Sequence, residues 1–575
     1  MSSSNRRPYA SATVLDQTLL DDSSDNLVHK LEMIADVETP TGTIHISDRA
    51  KYVGGVYYEP RVQFPDINRT IGEWLSNELE FSSLDLSINN TDQKYNNLLQ
   101  GGADYEGFIG RRITVKIGLA EIASTYTEVF SGVVTDAAGF GRDVLSFKLT
   151  ARNDFERVNL LIPQQFFIED DFPDIEDNFI GLGAPVIYGD WTTNLRPEGS
   201  EVPAFPVNGN DIAVNESLED PSAGDTPLKL VVSSTPIKSF DTATVTLFRG
   251  DAYYIFDASD INIVPATDNT AFEITQKNLD VDGTPFIYNT GDEFYVRVVG
   301  VDLGTVTDNI VAQAKDMIKR FAGLVDADFT LNWATYQGKT TPTESAISTM
   351  KSRVWIQEGT EMFKYVASML EQVRLEPFVN RDNKFDLSSL HFDDFTTKLA
   401  AVDMTVKNWD VVRGTFKPQI DERNNWNRAK ADFDFNPAKG EQQRSTALYR
   451  NQDAIDQAGK PISKLVVFPN LYVKTDVVNQ LIEMLKLASS YSEMIDMGLT
   501  SRAIRQELGD FVKLDVKIGS IEMDEIPAMI RSIQYSPEGL ELPVKVWSFQ
   551  MVGFFGYTAP AGWVGGVAAT ITKET

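Results

Sequence analysis

Gly110-Arg111-Arg112-Ile113-Thr114-Val115-Lys116-Ile117-Gly118 alternates apolar and polar side chains between two glycines, the period-two pattern of a strand with one buried face. Far along the chain, Gly509-Asp510-Phe511-Val512-Lys513-Leu514-Asp515-Val516-Lys517-Ile518-Gly519 repeats it, with Val512, Leu514 and Val516 standing for Ile113, Val115 and Ile117. Spacing beyond the two stretches agrees as well. Gly132-Val133-Val134 begins 22 residues past Gly110 and Arg531-Ser532-Ile533 begins 22 past Gly509, while Leu145 and Val544 each lie 35 on. Two copies of one β-barrel would produce such spacing, whereas any two antiparallel meanders share the alternation.

Around these anchors the chain reads as α+β and predominantly β. Its 575 residues exceed what one hydrophobic core can serve, so several domains are expected. Residues 1–25 are Ser- and Asp-rich without an apolar core and read as a flexible arm, not a secretory signal. Residues 26–165 read as a first β-barrel domain and 166–190 as an acidic linker. Within that linker Glu169-Asp170-Asp171-Phe172-Pro173-Asp174-Ile175-Glu176-Asp177 lacks the Asp/Asn alternation and central Gly of a calcium loop, so a solvated connector is expected. Residues 191–302 read as an inserted β-domain, with strands at Phe240–Leu247 and Glu293–Val299. Residues 303–400 form a helical and hairpin middle region. There a helix carrying Ile310, Val311, Ala314, Met317, Ile318 and Phe321 follows a Thr307 cap, a second helix carries Met362 to Val373, and Leu375–Leu390 turns back at Asn380–Asn383. Residues 401–555 read as a second β-barrel domain that includes a helix over 475–497, and 556–575 as a C-terminal tail.

Composition excludes several kinds of chemistry. There is no cysteine, so disulfides, thiolate zinc sites, iron–sulfur clusters and thiol nucleophiles are ruled out, and folding in a reducing cytoplasm fits. Charge is 52 basic against 83 acidic residues, net −31, which argues against winding around nucleic acid, because phosphate binding needs Lys and Arg. No stretch reaches the ~18 apolar residues of a membrane helix, so no membrane anchor is expected.

Catalytic templates fail one by one. Gly338-Lys339-Thr340 ends like a phosphate loop, but Trp333 stands where the loop needs glycine, and the backbone cradle is missing. The histidines are His29, His45 and His391, scattered along the chain. Asp280-Val281-Asp282-Gly283 resembles only the start of a calcium loop and reads as an Asp-Gly turn. No catalytic, cofactor-binding or metal-ligating residue is therefore assigned, and the chain reads as a non-enzyme, although a carboxylate pair assembled through tertiary structure stays open.

One resemblance gives these observations a setting. Tyr52-Val53-Gly54-Gly55-Val56-Tyr57-Tyr58-Glu59-Pro60 through Phe64-Pro65-Asp66-Ile67-Asn68-Arg69 resembles the N-terminal domain of bacteriophage tail hub proteins, of the contractile-tail family with two tail-tube-like β-barrels. Phe130-Ser131-Gly132-Val133-Val134, Gly183-Ala184-Pro185-Val186-Ile187-Tyr188-Gly189 and Leu508-Gly509-Asp510-Phe511 follow in the order found in that family. The resemblance makes Gly54, Pro60, Pro65, Gly132, Pro185, Gly189, Gly509 and Asp510 structural motif residues. It implies a homotrimeric hub in the virion, at the tail tip or baseplate, assembled in the host cytoplasm. Implied partners are further copies of itself, the tail tube or a distal tail ring protein, a spike or needle protein, other baseplate proteins and a tape-measure protein. DNA would pass through without specific binding. The chain carries no fused lysozyme-like or peptidase motif of the enzyme-bearing hubs. A receptor- or glycan-binding tail protein and a cell-wall glycan hydrolase are the alternative readings. Phe554, Phe555, Tyr557 and Trp563 in the tail are candidates for a partner interface; packing on their own domain is the competing reading.

Overall fold

The computed structural model describes residues 31–574 apart from 72–82, 100–106, 120–121, 139–144, 193–201, 209–226, 250–251, 265–269, 275–287, 290, 342–345, 392–393, 395–401, 403, 421–425, 490–491, 520, 538–541 and 550–570. The expected arm and the tail residues Phe554, Phe555, Tyr557 and Trp563 lie outside the described residues. The fold is α+β and predominantly β.

The first barrel is built from β1 (Leu31–Thr39), β2 (Gly42–Ser47), β3 (Lys51–Val53), β4 (Val56–Pro60), β5 (Val62–Gln63), β7 (Ser83–Asn89), β8 (Arg112–Leu119), β9 (Thr127–Ala138) and β10 (Ser146–Asn153), while β6 (Ile67–Thr70) departs from it. Alternation decides the facing: in β7 Leu84, Leu86 and Ile88 are buried and every second residue between them is exposed. The run from β4 into β5 closes the ring, because β4 pairs with β2 and β5 with β7. At the junction the Arg61 N–H donates to Ser47 O (2.9 Å) and the Asn89 N–H donates to Arg61 O (2.7 Å). Closure leaves few bare strand edges.

The second barrel uses β11 (Thr405–Lys407), β12 (Lys417–Ile420), β13 (Ser492–Leu499), β14 (Phe511–Ile518), β15 (Ile521–Tyr535) and β16 (Leu542–Phe549). Its order β14-β15-β16-β13 is that of β8-β9-β10-β7. The likeness extends to irregularities. β9 carries one extra residue opposite the Val115–Lys116 step and β15 one extra opposite the Leu514–Val516 step. Past these, Thr135 on β9 and Arg531 on β15 are again extra, opposite the Thr150–Ala151 and Lys545–Val546 steps. Closure also corresponds, through the antiparallel pairs Val62↔Ile88 and Val411↔Leu499. Bulges kept at the same register are features a shared alternation does not require. The difference is the β1–β2 hairpin: in the second barrel the closing segment, through β11, lies directly and in parallel on β14.

This register corrects part of the spacing argument. Ile113, Val115 and Ile117 do correspond to Val512, Leu514 and Val516. Arg531, however, corresponds to Thr135 rather than Gly132, and Val544 to Leu149 rather than Leu145. The β8–β9 link is longer than the β14–β15 hairpin, since the cross-strand partners Ile117 and Thr127 are farther apart along the chain than Val516 and Met523.

Elsewhere, a seven-stranded sheet spans Val202–Pro206 to Glu293–Val299. Helices α1 (Ile310–Ala322) and α2 (Met362–Glu371) pack with the hairpin Leu375–Val379/Phe385–Ser389. The cap of α1 is Asn309, which accepts from Val311 N–H (3.1 Å) and Ala312 N–H (3.0 Å), and not Thr307. Helix α3 covers Lys474–Ala488 and stops there. The expected continuation to 497 is instead β13, because Ile495, Met497 and Leu499 alternate into the barrel core. The acidic linker also differs from a solvated connector. Phe167, Ile175 and Ala184 bury against Phe205, Val207 and Val231 of the inserted sheet, and the buried Glu176 accepts a hydrogen bond from the Tyr288 hydroxyl. Aromatic and aliphatic residues interleaved with its carboxylates give it a packable face.

Both barrels begin β8 and β14 from a left-handed glycine, Gly110 (φ 76°) and Gly509 (φ 78°). The Gly110 N–H donates to Val134 O (2.8 Å) and the Val134 N–H to Arg111 O (2.9 Å). The Gly509 N–H donates to Ile530 O (2.9 Å) and the Ile530 N–H to Asp510 O (2.9 Å). Gly132 serves another purpose: a Cβ there would stand 2.3 Å from the Arg152 carbonyl oxygen. Gly110→Ala, in open space, is expected to cost about 1–2 kcal/mol from the left-handed backbone alone. Gly132→Ala should cost more, since a backbone carbonyl has to yield. Thermal denaturation of the two variants checks this ranking, and an equal or reversed order contradicts it.

Candidate functional site

Past the Arg531 bulge β15 exchanges its partner β14 for β6, which crosses over from the first barrel. The pairs are Ser532↔Thr70, Ile533↔Arg69, Gln534↔Asn68 and Tyr535↔Ile67, and the Ile71 N–H donates to Arg531 O (2.8 Å). One apolar cluster runs through both barrels at this junction, joining Ile67, Ile71 and Leu84 to Val512, Ile530 and Ile533, with Phe378 from the hairpin. Each such aliphatic side chain contributes ~1.5–3 kcal/mol when fully buried.

A buried ionic seam accompanies it. The Arg69 Nη1 lies 2.8 Å from Glu507 Oε1, and Arg69 Nη2 donates to Val379 O (2.8 Å). The second carboxylate oxygen of Glu507 accepts from Arg381 Nε (2.8 Å) and from the Arg381 backbone N–H (2.9 Å). The other end of the Arg381 guanidinium donates to the carbonyls of Arg505 (2.9 Å) and Gln506 (2.6 Å). Burial alone would raise the Glu507 carboxyl, but Arg69 and Arg381 together hold it below the usual range. A second pair lies deeper. Arg531 grips Glu376 with both guanidinium nitrogens, Nη2 to Oε1 at 3.0 Å, with the side chains only 4% and 6% exposed. First barrel, hairpin and second barrel are thus joined by five charged side chains.

The residues named from sequence are distributed more widely. Gly509 and Asp510 belong to the seam, where Asp510 Oδ2 accepts from the Glu507 N–H (2.7 Å) and orders the loop presenting Glu507. Gly132 sits on β9, Gly54 in the β3–β4 turn, Pro60 at the end of β4 and Pro65 between β5 and β6. Pro185 and Gly189 flank the strand Val186–Tyr188, which pairs with Val354–Ile356. These residues do not converge on one site. Arg69, Glu376, Arg381, Glu507 and Arg531 were not assigned a role from sequence. The one signal is an arginine in the strand Met529-Ile530-Arg531-Ser532-Ile533, at the position the bulge turns inward.

His45, His391 and Lys339 are held in structural contacts. His45 Nδ1 lies 2.7 Å from Asp36 Oδ1, which also receives the Tyr58 hydroxyl at 3.0 Å. Buried His391 donates from Nε2 to Val373 O (2.8 Å), leaving Nδ1 to accept from Arg374 (3.0 Å). Burial and the neighbouring Arg374 push it well below the ordinary imidazole range, so it is neutral. Lys339 pairs with Asp394 (2.8 Å). His29 and Asp280–Gly283 lie outside the described residues. Among the described residues, no three His, Asp or Glu side chains converge as a metal-ligand set.

Glu507→Ala would leave the buried Arg69 and the half-buried Arg381 guanidinium groups without their carboxylate, at a cost of about 3–5 kcal/mol. The double variant Glu376→Leu/Arg531→Met should be far milder than either single change. Since the folded-state carboxyl of Glu507 is lowered from 4.5, its contribution is present above that pH and is lost as pH falls through the folded value. The hydrogen-exchange protection of residues 67–71, corrected for the intrinsic pH dependence of amide exchange, should therefore fall on acidification, and this acid step should be absent in Glu507→Gln. An unchanged acid profile in that variant contradicts the assignment.

No protein-family model matches the chain, and no curated relative matches it. Solved structures similar to it include tail proteins of prophages. The 43 kDa tail protein of prophage MuSo2 from Shewanella oneidensis is 10% identical, with 90% of this chain and 98% of that one covered and a TM-score of 0.36. A tail protein from Neisseria meningitidis MC58 is 9% identical, covering 91% and 98%, with a TM-score of 0.37. Prophage tail protein gp18 from Listeria monocytogenes EGD-e is 8% identical, covering 90% and 94%, with a TM-score of 0.35. At such identities and TM-scores these likenesses carry no functional weight.

Proposed function

We propose that this chain is a structural protein of a bacteriophage tail, a homotrimeric hub that joins a sixfold tail tube to a threefold spike. The observation that carries the reading is the pair of barrels matched strand for strand and bulge for bulge. A cyclic trimer of such chains presents six equivalent barrels while keeping threefold symmetry everywhere else. That is the geometry an adaptor between sixfold and threefold partners requires. The ionic seam supports the reading, because an adaptor needs its two barrels held at one fixed angle. The single-copy parts, the inserted sheet and the helical region, would face the threefold partners: the spike and neighbouring baseplate proteins.

The acidic balance fits the same role. A net charge of −31 repels a polyanion and gives it no counterion-release gain, so a genome leaving through the ring would pass without binding. The tube protein or a distal tail ring would lie above the barrels, with the tape-measure protein inside the bore. In this account the chain works through assembly and not through turnover.

Native mass measurement of the purified chain, alone and with its spike partner, tests the proposal. A trimer is expected, formed either alone or on addition of the spike. A chain that stays monomeric under both conditions overturns it.

A further inference from the structure

The strand Ser463–Phe468 runs parallel to Arg428–Asn436 and pairs with no other strand among the described residues. The chain on both sides of it, residues 426–489, is described throughout. Val466 and Phe468 are buried in the core of the middle region, while Leu465 and Val467 on the opposite face are 53% and 47% exposed. The outer backbone is open as well. The Asn427 and Arg428 N–H groups donate to Ile462 O (3.1 and 3.2 Å), so by alternation Lys464, Val466 and Phe468 turn their backbone groups inward. Those of Ser463, Leu465 and Val467 point away from the sheet. No proline or bulge blunts the six residues, and Lys464 is their single charge.

We infer that residues 9–14 of the N-terminal arm of the same chain add to this edge as an antiparallel strand. The inference goes beyond the hub reading and does not depend on it. In Arg6-Arg7-Pro8-Tyr9-Ala10-Ser11-Ala12-Thr13-Val14-Leu15-Asp16 the run from Tyr9 to Leu15 has no charge, glycine or proline, and Tyr, Thr and Val suit a strand. Two cations stand before the run and a carboxylate after it. The edge carries the complementary order. Lys460 and Lys464 are exposed at its start, and Asp432 lies beside Val467 at its end. An antiparallel strand sets Asp16 by the two lysines and Arg6 and Arg7 toward Asp432, whereas a parallel one would set like charges together.

Reach and precedent agree. Residues 15–30 join the segment to β1, and extended chain of that length spans about 50 Å. The core under the edge already contains Phe155 and Val158, which follow β10 of the first barrel. The other end of the chain makes a comparable addition, since Ile571–Lys573 pairs with Tyr449–Asn451 in this same sheet. An exposed apolar edge is a template for any free strand, and a tethered arm outcompetes free ones through its effective concentration. Once occupied, the edge is closed to unrelated strands, so the arm guards the chain against edge-to-edge association before assembly.

Hydrogen exchange on the full chain, compared with a chain lacking residues 1–16, tests this. In the full chain the Leu465 and Val467 amides should exchange about tenfold more slowly than in the truncated one, while the inward-facing Val466 amide keeps one rate in both. Leu465 and Val467 amides that exchange in the full chain as fast as in an unstructured peptide overturn the inference, whatever the truncated chain does. Equally slow exchange in both chains gives the edge another occupant and overturns it too. Protection that appears only on trimer formation assigns the strand to a neighbouring copy, which also contradicts it. None of these results bears on the hub reading, which native mass decides separately.

Discussion

At Arg531 a single strand changes partners, and the guanidinium at the point of change is neutralised by Glu376 from a third part of the chain. Much else follows from this arrangement. β14 cannot continue alongside β15 past the bulge, so the edge is free to receive β6, and β6 can reach it only if the first barrel lies against the second. Taking a carboxylate and a guanidinium out of water is costly unless their geometry is good and their remaining hydrogen-bonding capacity is met. The seam therefore acts less as a source of stability than as a choice among orientations. A displaced barrel would leave Arg69, Arg381 or Arg531 buried without its carboxylate, while the apolar surface of Ile67, Ile71 and Phe378 could pack in several ways.

Much of the architecture was legible in the sequence. Ile113, Val115 and Ile117, with their counterparts Val512, Leu514 and Val516, alternate strictly because each strand buries one face. The glycines before them were visible because each marks a left-handed start. Fixed spacing failed further on, where the β8–β9 link is longer than its counterpart and loop length is free to vary. Helix α3 was extended into β13 because Ile495 happens to fall at helical spacing from Leu485 and Ala488. Only the packing tells them apart, since the helix faces the middle-region core and Ile495 the barrel core.

The seam itself was not legible. Its members are Arg69, Glu376, Arg381, Glu507 and Arg531, which the fold brings together from distant parts of the chain. Each alone resembles an ordinary solvent-facing charge on a strand or turn. The acidic linker misled for the opposite reason: its carboxylates dominate the reading, while Phe167 and Ile175 among them determine where it packs. Charge density reports what a segment does with water, and the intervening apolar residues report what it does with the protein.

A protein with two matched barrels and an ionic lock between them is suited to presenting the same surface twice at a fixed angle. The inserted sheet and the helical region occur once per chain and so supply the lower symmetry. An electron cryomicroscopy map of the assembled particle tests this most directly. The account predicts six barrel-shaped densities on one ring, alternating between two kinds that superpose strand for strand, with the inserted sheets appearing three times. A map in which the two barrels of a chain lie on different rings, or at an angle that cannot close around the axis, would contradict it.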